Sequence, residues 1–395
     1  MVANTNVSPT PWDALAGQYR LRPGNPVSVV GQRPVLLEGR LGRLLRGQRG
    51  EQVGRSLSRV FTLCAHAHRR TGELALAVAQ GGPPILLPTE PPVTLWLETA
   101  RDHLRSIALD WPQRWPALSA DGTNLDWLRD CPLPLFSTPA PTDARSSLEK
   151  LNQLRAWLEQ RVLGQSIDKW LLDHCQPNDL LGWCNAQAAR LPPARYLGEC
   201  YPIANSLRPS IRCLHVLDED ATRQRQQLSQ LAQSMVDDAD FVQHPSWLGQ
   251  CAENGPWTRL RHRQEEAAIK HSAWTRMGAR WIELVELAAA SQQFSSFVDT
   301  PLLSSGAMRL GDGQALAWCE MARGLLLHWV RLDAGGGVQD YRVLAPTEWN
   351  FHPQGALATA VAGLAPDDGV KANLLAAAFD PCVACTIELS GSNES

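Results

Sequence analysis

Ala378-Phe379-Asp380-Pro381-Cys382-Val383-Ala384-Cys385 lies near the end of a 395-residue chain. Two thiols two residues apart can grip one soft metal. Pro381 fixes its own φ and limits that of Asp380 before it, so the thiols follow a restrained backbone. Ten mostly small and polar residues follow Cys385, so a metal clamp here has to close against something upstream. Taken alone, Cys-x-x-Cys also suits a redox pair or half of a zinc site.

Composition narrows the field. Apolar residues make up 44% of the chain, enough for a large core. The 37 basic and 40 acidic residues leave a net charge of −3 with no basic block, which argues against nucleic acid as a partner. No apolar run reaches about 18 residues, so no membrane span is expected. The ten cysteines are scattered along a chain too long for a disulfide scaffold, and reduced thiols in a cytoplasmic protein are the expectation.

Going outward from the thiols, Val370–Ala378 and Gly355–Leu364 predict short helices, and Gln314–Glu320, Leu325–Leu332 and Tyr341–Leu344 predict strands. A long helix is expected from about Leu260 to Phe294, preceded by a loop through Gly255-Pro256. Helices are also expected over Asp220–Val242, Ile167–His174 and from a capping box at Ser146 to Leu163. Val93–Trp111 and Glu51–Gln80 read as helices. In the second of these, Leu57, Phe61, Cys64 and His68 follow 4-3-4 spacing on one face. Pro26–Val30 and Pro34–Leu41 read as two strands joined at Gly31-Gln32-Arg33. The expected fold class is α+β, α-rich with small sheets near both ends. A single domain over 1–395 is expected, with 1–25 loop and 386–395 a flexible tail.

Five blocks then carry a resemblance. Arg59-Val60-Phe61-Thr62-Leu63-Cys64-Ala65-His66-Ala67-His68 resembles the Arg-x-Cys-x-x-Cys-x-x-x-His motif of [NiFe]-hydrogenase large subunits. Glu253-Asn254-Gly255-Pro256-Trp257-Thr258-Arg259 is similar to their Glu-x-Gly-Pro-x-x-Arg block. Glu320-Met321-Ala322-Arg323-Gly324 is similar to Glu-Ala-Pro-Arg-Gly, and Pro346-Thr347-Glu348-Trp349-Asn350 to Pro-Thr-x-Trp-Asn. Asp380-Pro381-Cys382-Val383-Ala384-Cys385 resembles Asp-Pro-Cys-x-x-Cys-x-x-His. The chain departs from the family at Phe61, where the first cysteine belongs, and at Glu388, where the last histidine belongs. That pattern resembles the HupK/HoxV type of hydrogenase maturation protein, a degenerate relative of the large subunit.

The resemblance implies a large-subunit-like fold and a scaffold that carries an Fe(CN)2(CO) unit to the hydrogenase large subunit precursor. Cys64 and Cys385 match the cysteines that bridge to iron. Cys382 matches a nickel-only ligand, and Phe61 removes the other, so no nickel is expected. Arg323 matches the guanidinium that covers the cyanides. Thr347 matches a hydroxyl donor with Pro346 beside it, and His68 would orient a thiolate. Glu253 and Arg259 read as structural. A HypC-type chaperone and the HypC–HypD complex are the implied partners, with no nucleic acid or membrane. The competing readings are an active or sensor hydrogenase with an altered nickel site, and a plain zinc or redox protein.

Overall fold

The computed structural model describes residues 17–86, 92–115, 124–135, 143–210, 212–263, 271–291 and 302–390, with backbone alone at 37 and 38. Seven strands are found among these: β1 (Gln18–Leu21), β2 (Val29–Gln32), β3 (Ser305–Gly311), β4 (Gln314–Met321), β5 (Gly324–Leu332), β6 (Val338–Leu344) and β7 (Ala384–Ile387). One sheet is antiparallel, in the order β3-β4-β5-β6. The other has the order β2-β1-β7, with β1 antiparallel to β2 and parallel to β7.

This second sheet corrects three expectations. Part of the stretch expected as loop is strand β1, because Tyr19 and Leu21 alternate inward against outward Gln18 and Arg20 and a partner lies on each side. β2 pairs back to β1, while Pro34–Gly39 is a 3-10 helix instead of the second arm of a hairpin. The expected tail contributes Thr386 and Ile387 to β7, opposite Arg20 and Leu21. Residues 1–16 and 391–395 lie outside the described residues.

The expected helix over Glu51–Gln80 is two helices, Glu51–Val60 and Ala65–Ala79. No glycine or proline marks the break. Its cause lies on the next helix, Val93–Arg105, where Glu98 accepts from the His66 and Ala67 backbone N–H groups at 2.8 Å each and starts the second helix afresh. Further along, Asp143, not Ser146, caps the helix Ala144–Trp157. Pro256 opens a helix to Arg263 instead of lying in a loop.

Ala273–Ala290 is the central helix, buried at nearly every position. Ser272 and Thr275 cap it reciprocally, at 3.1 Å and 2.9 Å. Its charged residues, Arg276, Arg280, Glu283 and Glu286, are spaced four, three and three apart and so share one stripe. Arg276 binds Glu253 through both carboxylate oxygens at 2.9 Å. Arg280 Nη2 lies 3.5 Å from Asp380 Oδ2. Glu283 takes both Arg259 Nε (2.8 Å) and His103 Nε2 (2.8 Å). One helix thus ties the middle blocks of the sequence to the C-terminal one.

Candidate functional site

Cys64 occupies the position just before the helix Ala65–Ala79 and is buried. A thiol at a helix N-terminus faces the positive end of the helix dipole. Burial lifts the Cys64 thiol well above its ordinary value. Cys382 adds to this, and Arg323 opposes it. The structure therefore brings Cys64, Cys382 and Arg323 into one electrostatic cluster. Glu98, behind Cys64, is raised to about 7 by burial and by Asp102.

Arg323 sits in the two-residue turn between β4 and β5, a position that would ordinarily be solvated, yet only 2% of it is exposed. Three blocks lock the turn. Gly324 has φ +133°, and a Cβ there would stand 1.5 Å from Asn254 Oδ1. Asn254 Oδ1 accepts from the Leu325 N–H at 2.7 Å. Asn350 donates to the Asn254 carbonyl at 2.9 Å and accepts from the Asn254 N–H at 3.0 Å. With its turn fixed, Arg323 reaches Asp102 Oδ2 (3.4 Å) and Asp380 Oδ2 (3.3 Å). Burial disfavours its charge, but Asp380 and Asp102 together raise its pKa above the ordinary value. Arg323 Nε makes no hydrogen bond among the described residues.

Pro346 and Thr347 open the short helix Pro346–Asn350. Thr347 Oγ1 donates to Cys382 Sγ over 3.0 Å. Asp380 caps the helix Gly369–Phe379 in the left-handed region, at φ 46°, which is unusual for a residue before proline. Its Oδ1 accepts from Ser106 Oγ at 2.8 Å. Cys385 is the buried thiol of β7. It faces Arg114, lies opposite Tyr19 in the sheet, and is pushed up to about 11 by burial against the pull of Arg114. A cavity of about 450 Å³ lies between Arg114, Ser106, Asp380, Cys382 and Cys385. Among the described residues no three His, Cys, Asp or Glu side chains are grouped closely enough to hold a metal ion.

Phe61 fills the place where a thiol would stand in the matching motif. It stacks on His68 with ring centroids 3.7 Å apart and planes 6° from parallel. The hydrogen bond given to His68 is through Nδ1 to His328 Nε2 (3.0 Å), and His328 Nδ1 meets Tyr341 Oη at 2.7 Å. Burial lowers His68 and takes His328 down to about 3, so both rings are neutral near pH 7. On its other side Phe61 carries the Arg33 guanidinium, 5.3 Å from the ring centroid.

Sequence reasoning named Cys64, Cys382, Cys385, Arg323, Pro346, Thr347 and His68, with Cys64 and Cys385 as the iron pair; the structure sets Thr347 on Cys382 and couples Cys64 electrostatically to Cys382 and Arg323. It did not identify Asp102, Arg280, Arg33 or the His328–Tyr341 pair. The spacing of Arg276, Arg280 and Glu283 inside an Ala- and Leu-rich helix was a usable signal, because charges in such a helix need buried partners. Arg33 left no local signal.

The comparison that decides the family covers almost the whole chain. A hydrogenase expression/formation protein HoxV of Cupriavidus necator is 38% identical over 96% of this chain and 97% of its own length. The chain belongs to the HoxV and HupK family of hydrogenase expression/formation proteins. A HupK of Bradyrhizobium diazoefficiens is 35% identical over 40% of this chain and 44% of its own. The nickel-dependent hydrogenase family matches residues 258–388. The uptake hydrogenase large subunit of Azotobacter chroococcum is 36% identical over 17% of this chain and 12% of its own. For this HoxV/HupK-type chain the fold is thus large-subunit-like, helix-rich with small sheets. The matched stretch takes in Arg259, Arg323, Thr347 and both C-terminal thiols, whereas Cys64 and Phe61 fall outside it. No helix among the described residues is long and apolar enough to cross a membrane.

Proposed function

We propose that this protein acts in hydrogenase maturation as a carrier that receives an Fe(CN)2(CO) unit as cargo and passes it to the large subunit precursor. The observation that carries this reading is that Cys64, Cys382 and the buried Arg323 act on one another's charge, with Thr347 donating to Cys382 at 3.0 Å. Thiolates suit a low-spin iron with strong-field ligands. Cyanide nitrogen is a hydrogen-bond acceptor, and a buried guanidinium is a matching donor that keeps its charge. Cys64 and Cys382 would hold the iron, with Cys385 joining them on leaving Arg114, and Arg323 and Thr347 would meet the cargo's polar ends. His68, with Phe61 stacked on it, would form an apolar and aromatic wall. Pro346 starts the helix that aims Thr347.

With Phe61 in place of a thiol, the site lacks a ligand for a second soft metal, so the role is carriage and not turnover of hydrogen. A HypC-type chaperone or a HypC–HypD complex would deliver the cargo, in a cytoplasmic setting. Infrared spectra and metal analysis of protein isolated without oxygen test this. Iron, carbonyl and cyanide stretches, and no stoichiometric nickel are expected. One nickel per chain would favour an active or sensor hydrogenase, and zinc without those stretches a plain thiol site.

A further inference from the structure

Arg33 follows strand β2 and turns into the core, where 4% of its side chain is exposed. Its carboxylate partner is Glu348, beside Thr347, through a single long contact of 3.4 Å. That pairing leaves both groups incomplete. Arg33 Nε and Glu348 Oε2 are buried and make no hydrogen bond among the described residues. A guanidinium that could grip a carboxylate with two parallel bonds is here held by one. The rest of its position is fixed by Phe61, whose ring it covers. Its two anchors lead to the thiols: Glu348 adjoins Thr347, whose Oγ1 donates to Cys382 Sγ at 3.0 Å, and Phe61 lies three positions before Cys64. Against the cost of burial, Cys382, Glu348 and then Cys64 favour its charge. Arg323 approaches the thiols from the β4–β5 turn, and Arg33 from a different strand.

We propose that Arg33, braced on Phe61 and Glu348, is a second cargo-binding guanidinium, giving a fixed positive charge and a free donor to an anionic complex on Cys64 and Cys382 and repelling a second metal cation. This rests on the carrier reading for its ligand, while the charge it places beside the thiols is a property of the chain itself. Two consequences separate. An anionic iron–cyanide unit is held more tightly with Arg33 present, and a bare divalent cation less tightly.

The test uses the full chain with R33Q and R33K. Protein isolated without oxygen is examined for iron and for cyanide stretches. Cargo-free protein is titrated with Co2+ and followed by thiolate-to-cobalt absorption. R33Q is expected to lose iron several-fold and to bind Co2+ several-fold more tightly than wild type. R33K is expected to match wild type toward Co2+ but to shift the cyanide stretches, because it keeps the charge and loses the fork. Folded R33Q with unchanged Co2+ affinity and unchanged cyanide stretches would overturn the proposal. If R33Q does not fold, R33K decides, and unshifted stretches there would overturn the donor role. If wild type shows no cyanide or carbonyl stretch, the carrier reading fails, and the Co2+ titration still decides whether Arg33 repels a cation.

Discussion

Asp380 Oδ2 lies 3.3 Å from Arg323 Nε, and the same oxygen lies 3.5 Å from Arg280 Nη2. One buried carboxylate thus serves two buried guanidinium groups: Asp380 raises the pKa of both, while Arg323 lowers that of Arg280. Asp380→Asn removes that charge and leaves the two cations facing each other. A loss of about 3–5 kcal/mol in unfolding free energy is expected, as for other broken buried pairs. Urea denaturation measures it, and Asp380→Asn combined with Arg280→Met should recover part of the loss. Equal stability of Asp380→Asn and wild type would show that the contact contributes nothing.

Gly324 should tolerate no side chain. Its φ of +133° and the 1.5 Å approach of Asn254 Oδ1 to an added Cβ both stand against alanine. Gly324→Ala is expected to cost more than about 4 kcal/mol, among the largest single-residue effects. Because the turn aims Arg323, whatever folded fraction remains should also carry less iron. A melting temperature within a degree or two of wild type would contradict the geometry.

His328 sets a pH dependence. Its folded pKa of about 3 lies below the usual histidine range, because burial disfavours the imidazolium. The unfolded chain therefore binds more protons than the folded one between about pH 6.5 and pH 3. The stability is fully present above that window and is lost as pH falls through it, with a slope of up to about 1.4 kcal/mol per pH unit. His328→Gln should flatten the acid side of the stability curve relative to wild type. Parallel curves would mean that His328 titrates normally.

The thiols can be ranked. Cys64→Ser and Cys382→Ser should each abolish the cyanide and carbonyl stretches, because these two thiols share one buried cluster with Arg323. Cys385→Ser separates two possibilities. Full loss would mean that Cys385 leaves Arg114 to join the iron, and retention would mean that the Cys64–Cys382 pair suffices. Arg323→Ala should weaken cargo retention by roughly 1.5–3 kcal/mol for the lost charge-assisted donor. It should also destabilise the fold, since Asp102 and Asp380 lose a partner.

The site was legible where its chemistry is packed into short blocks. Cys64, Arg323, Thr347 and Cys382 each announce themselves by their neighbours, and the fold brings them together. Their supports were not, because they come from distant segments with no local mark. Asp102 sits on a helix otherwise readable only as apolar spacing, and Arg33 follows a short strand. The fold shows the same division. β4, β5 and β6 were expected from alternation, and β3 was not. The break before Cys64 was hidden because Glu98, more than thirty positions later, creates it.

The parallel pairing of β1 with β7 sets an order of events during synthesis. Next to this pairing, Arg22 meets Glu388 across a separation of 366 positions. While the chain is being made, Gln18–Leu21 has one face of its backbone unmatched until nearly everything else has been translated. Contacts that distant close late. The C-terminal thiols become available only at that same late moment, so on the proposed reading a half-made chain cannot hold cargo. Until then β1 is an open edge that invites wrong partners, and a newly made chain would depend on rapid closure of its last strand to stay soluble.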